Sequence, residues 1–454
     1  MTTRPGRAGP AAPAGRAWRA DRGAYGRAGL VAIGVSAGCT FAVAVAGTSV
    51  MEPALPGRPG QPPWSLGLHP SPYLVVALTA AGLAAGTLGL VLVLRATRGG
   101  WSVPARAVLI AGLLAAAALT LVPPFGSSDH LSYAAYGRML VTGHNPYTTT
   151  PAQLAALGDP VARAVQDWSG SPSVYGPLAT AIQAVASLIG GTSVRLTVFV
   201  LGLVNLAAFG GTGLLLHRMT AGQPGRQLRA ALLWTANPLL LQVLVAGAHV
   251  DSQAVVFGVA AVAVMFAPWG RRGGPGGRKG RGGPGETVSP QTRWVSGGSP
   301  PRISTSLAAG VLVGLGFAVK ITVVLVGLGL AIALVISTGR QWRRLAPPLA
   351  ALGAGFAVTA GAAVAIGGSA MLTQSSRASD MVSIGSPWRV IRSVIQLAVA
   401  GTTATDIVKY GAIVLAVVLA VLLIRGLPGI LAGSSGHAAD LSDVADLSDA
   451  ANPG

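Results

Sequence analysis

A polytopic, all-α bundle of transmembrane helices is the fold this sequence predicts, and three observations predict it. Only 10% of the 454 residues are charged and the mean hydropathy is +0.61, whereas a soluble globular chain carries roughly 25% charged residues. The apolar residues gather in blocks, most of about 17–25 residues, the length that crosses a hydrocarbon core. The basic residues fall mainly between those blocks, where they act as topology signals. Together these observations exclude a soluble enzyme, a secreted disulfide scaffold and a disordered chain. The spacing of the blocks predicts about 11–13 spans in a lipid bilayer.

In chain order, residues 1–26 are rich in Arg, Gly, Pro and Ala and read as a disordered basic leader on the cytoplasmic side. The leader and the apolar run behind it are both too long for a signal peptide, so a retained anchor is expected. Spans follow at about 28–50, 72–94 and 106–123, with Arg95, Arg98 and Arg106 between the second and third. Starting inside, this parity places 51–71 outside, 95–105 inside and the polar stretch 124–175 outside. Further blocks lie near 177–190, 194–216, 230–248, 253–268, 304–319, 321–338, 346–366, 390–401 and 408–424. The 177–190 block is short for a crossing and reads as a tilted or partly inserted helix. That keeps Arg218, Arg226 and Arg229 inside and carries the turn GAHVD (247–251) and Lys320 to the outer face.

Residues 269–302 form a flexible, basic Gly/Pro/Arg linker on the cytoplasmic side, and 426–454 form a disordered acidic tail with a repeated ADLSD. Between them the chain divides into an N-terminal transmembrane module, 27–268, which carries the outer loop, and C-terminal helices over 303–425. The lone Cys39 permits neither an intrachain disulfide nor a cysteine metal cluster. A net charge of +19 arises from 32 Lys+Arg against 13 Asp+Glu. With no basic patch interleaved with aromatics, nucleic acid is not an expected partner.

The acids sort by hand. Outside the leader, linker and tail stand Glu52, Asp129, Asp159, Asp167, Asp251, Asp380 and Asp406. None lies mid-block, and all but the undecided Asp406 map to the outer side, so the chemistry is expected there. In FGSSDHLSYAAYGRMLVTGHNPY (125–147), Ser128 or Asp129 caps a helix running to about Leu140. Tyr133 and Tyr136 read as interfacial anchors, and Asp129 reads as a plain cap or as a reacting carboxylate. Asp167 and Trp168 read as loop residues, with Tyr175-Gly176 entering a helix at Pro177. His249 and Asp251 form a polar turn or a substrate contact; two side chains alone do not make a metal site. Lys320, Arg389 and Arg392 sit at block ends, either snorkelling or clamping a lipid phosphate.

The ordered set SSDHLSYAAYGRMLVTGHNPY, DWSGSPSVYGPL, WTANPLLLQVLVAGAHVD and LGFAVKITVVL, with a weaker echo at SPWRVIR (386–392), resembles the actinobacterial polyprenol-phosphomannose-dependent alpha-1,6-mannosyltransferases. These are C-type integral-membrane glycosyltransferases. The resemblance implies a multi-span helical enzyme of the plasma membrane whose outer loop carries an essential aspartate, here Asp129. Relatives in the wider superfamily carry two near-adjacent acids there; this chain has Ser127 and Ser128 before a lone Asp129, so no metal and no cofactor is expected. The implied donor is a polyprenyl-phosphate-mannose lipid, and the implied acceptor a mannan or glycolipid of lipomannan type. On that reading Asp129 is the general base of an inverting transfer. Tyr133, Arg138, Asn145, Tyr147, Tyr175, His249, Asp251, Lys320, Arg389 and Arg392 bind substrate. A lipid transporter or flippase is the competing class, but it would place ionisable groups near the midplane, where this chain has no carboxylate.

Overall fold

A computed structural model of the chain describes residues 14–266, 301–337, 342–378, 387–422 and 425. Every regular element among them is helical. The linker over 267–300, the tail from 426 and Asp380 lie outside the described residues. Helix α1 (Ala14–Ala46) begins well inside the expected irregular leader; α2 (Pro72–Arg98) and α3 (Ala105–Thr120) follow. The polar stretch holds α4 (Asp129–Val141) and two short helices, α5 (Pro151–Ala156) and α6 (Pro160–Arg163). Then come α7 (Pro177–Gly190), α8 (Val194–Met219) and α9 (Pro224–Leu233).

The block at 230–248 breaks where Asn237-Pro238 predicts a kink, so it is not one continuous α-helix. Asn237 caps α10 (Pro238–Leu240) by accepting from the Leu239 and Leu240 N–H groups, and the chain then widens into a π turn, Leu241–Ala246. Proline 238 removes a donor and forces that break. Beyond it run α11 (Asp251–Phe266), α12 (Ile303–Phe317), α13 (Val324–Ser337) and α14 (Trp342–Ala378), the last bent at Gly368. Helices α15 (Pro387–Ile395) and α16 (Gly401–Leu422) complete the set.

Among the described residues, six apolar stretches are long enough to cross a bilayer: Gly23–Ala46, Pro72–Arg98, Val194–Met219, Pro224–Ala246, Trp342–Arg377 and Gly401–Leu422. Five more apolar helices are shorter, 10–17 residues each. The chain is a polytopic helical membrane protein.

The described residues form two units, one reaching Gln374 and a second covering the described residues from Ser375 onward. In the first, a core of small and branched residues joins Ala179, Leu201, Ala254, Ala261, Ala309 and Val313 from α7, α8, α11 and α12. Small side chains let membrane helices approach closely, which is where packing energy comes from when lipid removes the hydrophobic drive. Helix α4 is buried nearly all round. A Cβ at its Gly137 would stand 2.1 Å from the Gln183 carbonyl oxygen, so only glycine permits the α4–α7 crossing. Tyr133 and Tyr136 are each 3% exposed. They are therefore core residues rather than the interfacial anchors expected from their spacing.

Candidate active site

Four segments far apart in sequence converge around α4. The first is the helix entry itself. Ser128 occupies the cap position, but its hydroxyl donates to the Asp167 carboxylate instead of capping. Asp129 is the first helical residue; its N–H donates to Ser127 Oγ at 3.2 Å, and its carboxylate is left free of capping. A negative charge at that position is favoured by the helix dipole.

The second segment is the loop before α7. Trp168 Nε1 donates to Asp129 Oδ1 at 2.9 Å. The loop is held by Tyr136, whose hydroxyl donates to the Ser171 carbonyl at 2.9 Å, and by Ser173 N–H donating to the Pro146 carbonyl at 2.8 Å.

The third segment is the GAHVD turn. His249 Nδ1 lies 3.4 Å from Asp129 Oδ2, and both side chains are about a quarter exposed, at 23% and 25%. The turn is over-determined from three sides. Asn205 of α8 donates to the His249 carbonyl at 3.1 Å, Gln253 donates to Asn205 Oδ1 at 2.7 Å, and Phe125 N–H donates to the Ala246 carbonyl at 2.9 Å. Ala248 stands at φ +52, a left-handed conformation that costs a non-glycine residue energy. A π turn followed by a strained residue is a pattern that recurs at functional sites.

The fourth segment ends α12. Gly176 N–H donates to the Val319 carbonyl at 3.0 Å and Leu178 N–H to Ala318 at 2.9 Å. A Cβ at Gly176 would meet the Ala318 oxygen at 2.2 Å. This backbone clasp brings Lys320 beside the α7 entry, where Lys320 Nζ pairs with Asp251 Oδ1 at 2.7 Å.

Tyr133 and Tyr175 stand within electrostatic reach of both Asp129 and Asp251. Their rings meet edge to face at 5.1 Å, and the Tyr175 hydroxyl donates to that of Tyr133 at 3.3 Å. Burial raises both phenols first of all, and the carboxylates of Asp129 and Asp251 raise both further. The two phenols therefore stay neutral donors, and both acids bear on the same pair of rings. His130, by contrast, is fully buried and pushed down to about 3, by burial first and His249 second. It remains a neutral core side chain at neutral pH.

From Asp251 an apolar groove of about 290 Å³ runs along Ala254, Val255, Gly258 and Val262 of α11, with Leu216 of α8 and Val326 of α13 across from them. Among the described residues no three His, Cys, Asp or Glu side chains gather as a metal site would need.

The expected site residues thus divide. Asp129, Tyr133, Tyr175, His249, Asp251 and Lys320 come together. Arg138 does not join them: it is held at 2.7 Å by Asp159, which also caps α6 by accepting from Val161 and Ala162 N–H groups. Asn145 closes its own turn by accepting from Tyr147 N–H at 2.9 Å, and the buried Tyr147 hydroxyl bonds Thr180 at 3.1 Å. Arg389 and Arg392 lie in the second unit. Trp168, which the sequence marks only as a loop residue beside Asp167, joins the site through its bond to Asp129.

Residues 31–338 match the family model for the N-terminal domain of alpha-(1->6)-mannopyranosyltransferases. The chain belongs to that family. The matched range contains all four converging segments of the mannopyranosyltransferase fold described above and ends before Arg389 and Arg392. An alpha-(1->6)-mannopyranosyltransferase of Mycobacterium tuberculosis is 32% identical over 152 residues, which is 33% of this chain and 25% of that protein. Alpha-(1->6)-mannopyranosyltransferase B of Corynebacterium glutamicum is 28% identical over 160 residues, 35% of this chain and 24% of the relative. A probable alpha-(1->6)-mannopyranosyltransferase of Mycolicibacterium smegmatis is 31% identical over 150 residues, 33% and 26%. The matches thus span about a quarter of each curated relative's length. No solved structure matches the chain.

Proposed function

We propose that the protein is a membrane mannosyltransferase that transfers mannose from a polyprenyl-phosphate-mannose donor to a growing alpha-1,6-mannan acceptor at the extracytoplasmic face of the plasma membrane. The observation that carries this reading is the carboxylate of Asp129, uncapped, fixed at one oxygen by Trp168 and turned toward His249 at the other.

The chemistry asks for little more. Phosphate leaves without being protonated, so one general base suffices, unlike the acid and base that an inverting glycosidase needs. Asp129 takes the proton of the acceptor hydroxyl, whose oxygen bonds the anomeric carbon. The bond from that carbon to the phosphate oxygen breaks, and its electron pair leaves with the phosphate. Displacement inverts the centre, so an α product requires a β-linked donor. Trp168 orients the base, and His249 offers the proton a second acceptor.

Lys320 would meet the negative charge growing on the departing phosphate, with Asp251 holding the ammonium in place until the donor enters. The neutral phenol of Tyr133, accepting from Tyr175, keeps its own O–H as a donor toward the sugar without competing charge. The apolar groove leaving Asp251 suits the first part of a polyprenyl chain. A transporter reading has family membership against it.

The test is Asp129→Asn in membranes supplied with labelled polyprenyl-phosphomannose and matched for expression. Loss of about 10²–10⁴-fold in transfer is expected for a general base. Near-normal transfer would remove Asp129 from the chemistry.

A further inference from the structure

We propose that α15 lies in the plane of the membrane surface and binds the headgroups of anionic phospholipids through Arg389 and Arg392. The proposal does not rest on the transfer reading above.

At 3.6 residues per turn, Trp388, Val390, Ile391, Val394 and Ile395 fall on one arc of this nine-residue helix, and Arg389, Arg392 and Ser393 fall on the other. The apolar arc is open: Val390 is 67% exposed and Val394 62%. A run of nine residues rises only about 14 Å, less than half of a hydrocarbon core, so α15 does not cross. In the sequence it stands between two helices that are long enough to cross, and only 396–400 separate it from Gly401–Leu422. Helix α16, in the same unit and beginning directly after 396–400, therefore brings it to the level where a span begins. A short helix with one apolar face and cations on the other settles there by burying the first face in acyl chains and turning the second to headgroups.

The charge pattern selects the lipid. Helix α15 contains no Asp or Glu, and neither arginine forms an ion pair among the described residues. A guanidinium matches a phosphate oxygen pair in bidentate fashion. Each cation at an anionic surface contributes about five-fold in lipid preference, the equivalent of roughly 1 kcal/mol.

The full chain, with Cys39→Ala, is reconstituted in nanodiscs of phosphatidylcholine with or without phosphatidylglycerol and spin-labelled at Val394→Cys or, as a control, Ser393→Cys. With phosphatidylglycerol present, the label at 394 should be open to oxygen and shielded from a water-soluble nickel complex, and the label at 393 the reverse. Native mass spectrometry should find phosphatidylglycerol retained over phosphatidylcholine, with the preference falling about five-fold for each of Arg389→Gln and Arg392→Gln. A nickel-accessible label at 394 overturns the proposal, as does dipolar broadening between labels on two copies, which would make the face a subunit contact. Lipid retention indifferent to both arginine substitutions overturns the headgroup assignment even if the helix is embedded.

Discussion

Trp168→Phe isolates one interaction at the proposed base, Asp129. The change keeps an aromatic ring in the loop and deletes only the indole N–H that donates to Asp129 Oδ1 at 2.9 Å. Trp168 is 46% exposed, so it carries little core packing and the fold should survive its replacement. A hydrogen bond to an ionised group contributes about 1.5–3 kcal/mol. If the bond serves to aim the carboxylate at the acceptor hydroxyl, its loss appears in kcat as a drop of roughly 10- to 150-fold, at 1.36 kcal/mol per decade. The assay is transfer of labelled mannose from polyprenyl-phosphomannose at saturating donor, with Asp129→Asn and the double variant alongside. Because Trp168 acts through Asp129, the double variant should be no slower than Asp129→Asn alone. A Trp168→Phe enzyme within two-fold of wild type (well under 1 kcal/mol), or a double variant showing the product of the two losses, would refute the arrangement.

Three other outcomes follow from the geometry. Gly176→Ala places a Cβ against the Ala318 carbonyl at 2.2 Å, so thermal unfolding in detergent should show a loss of about 1–3 kcal/mol; an unshifted melt would mean the clasp is not rigid. Arg138→Gln leaves Asp159 without its cation in a site where their side chains are 19% and 8% exposed. It should lower the melting temperature while leaving kcat of the folded fraction within a few-fold (under about 1 kcal/mol), and a selective rise in KM for donor would instead return Arg138 to substrate binding. Glu52 is buried, and burial pushes its carboxyl from 4.5 up to about 8. The folded protein therefore holds a proton that the unfolded chain releases across that window, and stability falls as pH rises through it. Glu52→Gln should stabilise the protein increasingly up to about pH 8 and no further, by at most about 1.4 kcal/mol per pH unit; a pH-independent difference would contradict the burial argument.

The helical class was legible because the apolar runs are long and interrupted by arginine and glycine, a signal that needs no tertiary information. Elimination left seven acids outside the leader, linker and tail, and only the resemblance to the mannosyltransferases, not position, singled out Asp129 among them. The partnerships were not legible. Nothing local tells Arg138 that Asp159 will meet it from 21 residues away, so a paired cation looked free. Tyr133 and Tyr136, three apart, fit an interfacial helix as well as a buried one, and only the α4–α7 contact at Gly137 decides between them. The π turn before His249 lies inside an ordinary apolar run, marked only by Asn237-Pro238. Trp168 reaches Asp129 through a loop whose course depends on the Tyr136 hydroxyl, which no window of sequence contains.

If the protein takes a polyprenyl-phosphate donor as proposed, the groove beside α11 bears on which lipids it tells apart. From Asp251 to Val262 is eleven residues, about 16 Å of helix. On the proposed reading, that length embraces only the opening isoprene units, and whatever extends further meets the bilayer rather than the protein. Saturation of those opening units would be sensed by the fit, whereas extra units at the far end would pass unnoticed, making carriers of different overall length interchangeable as sugar donors.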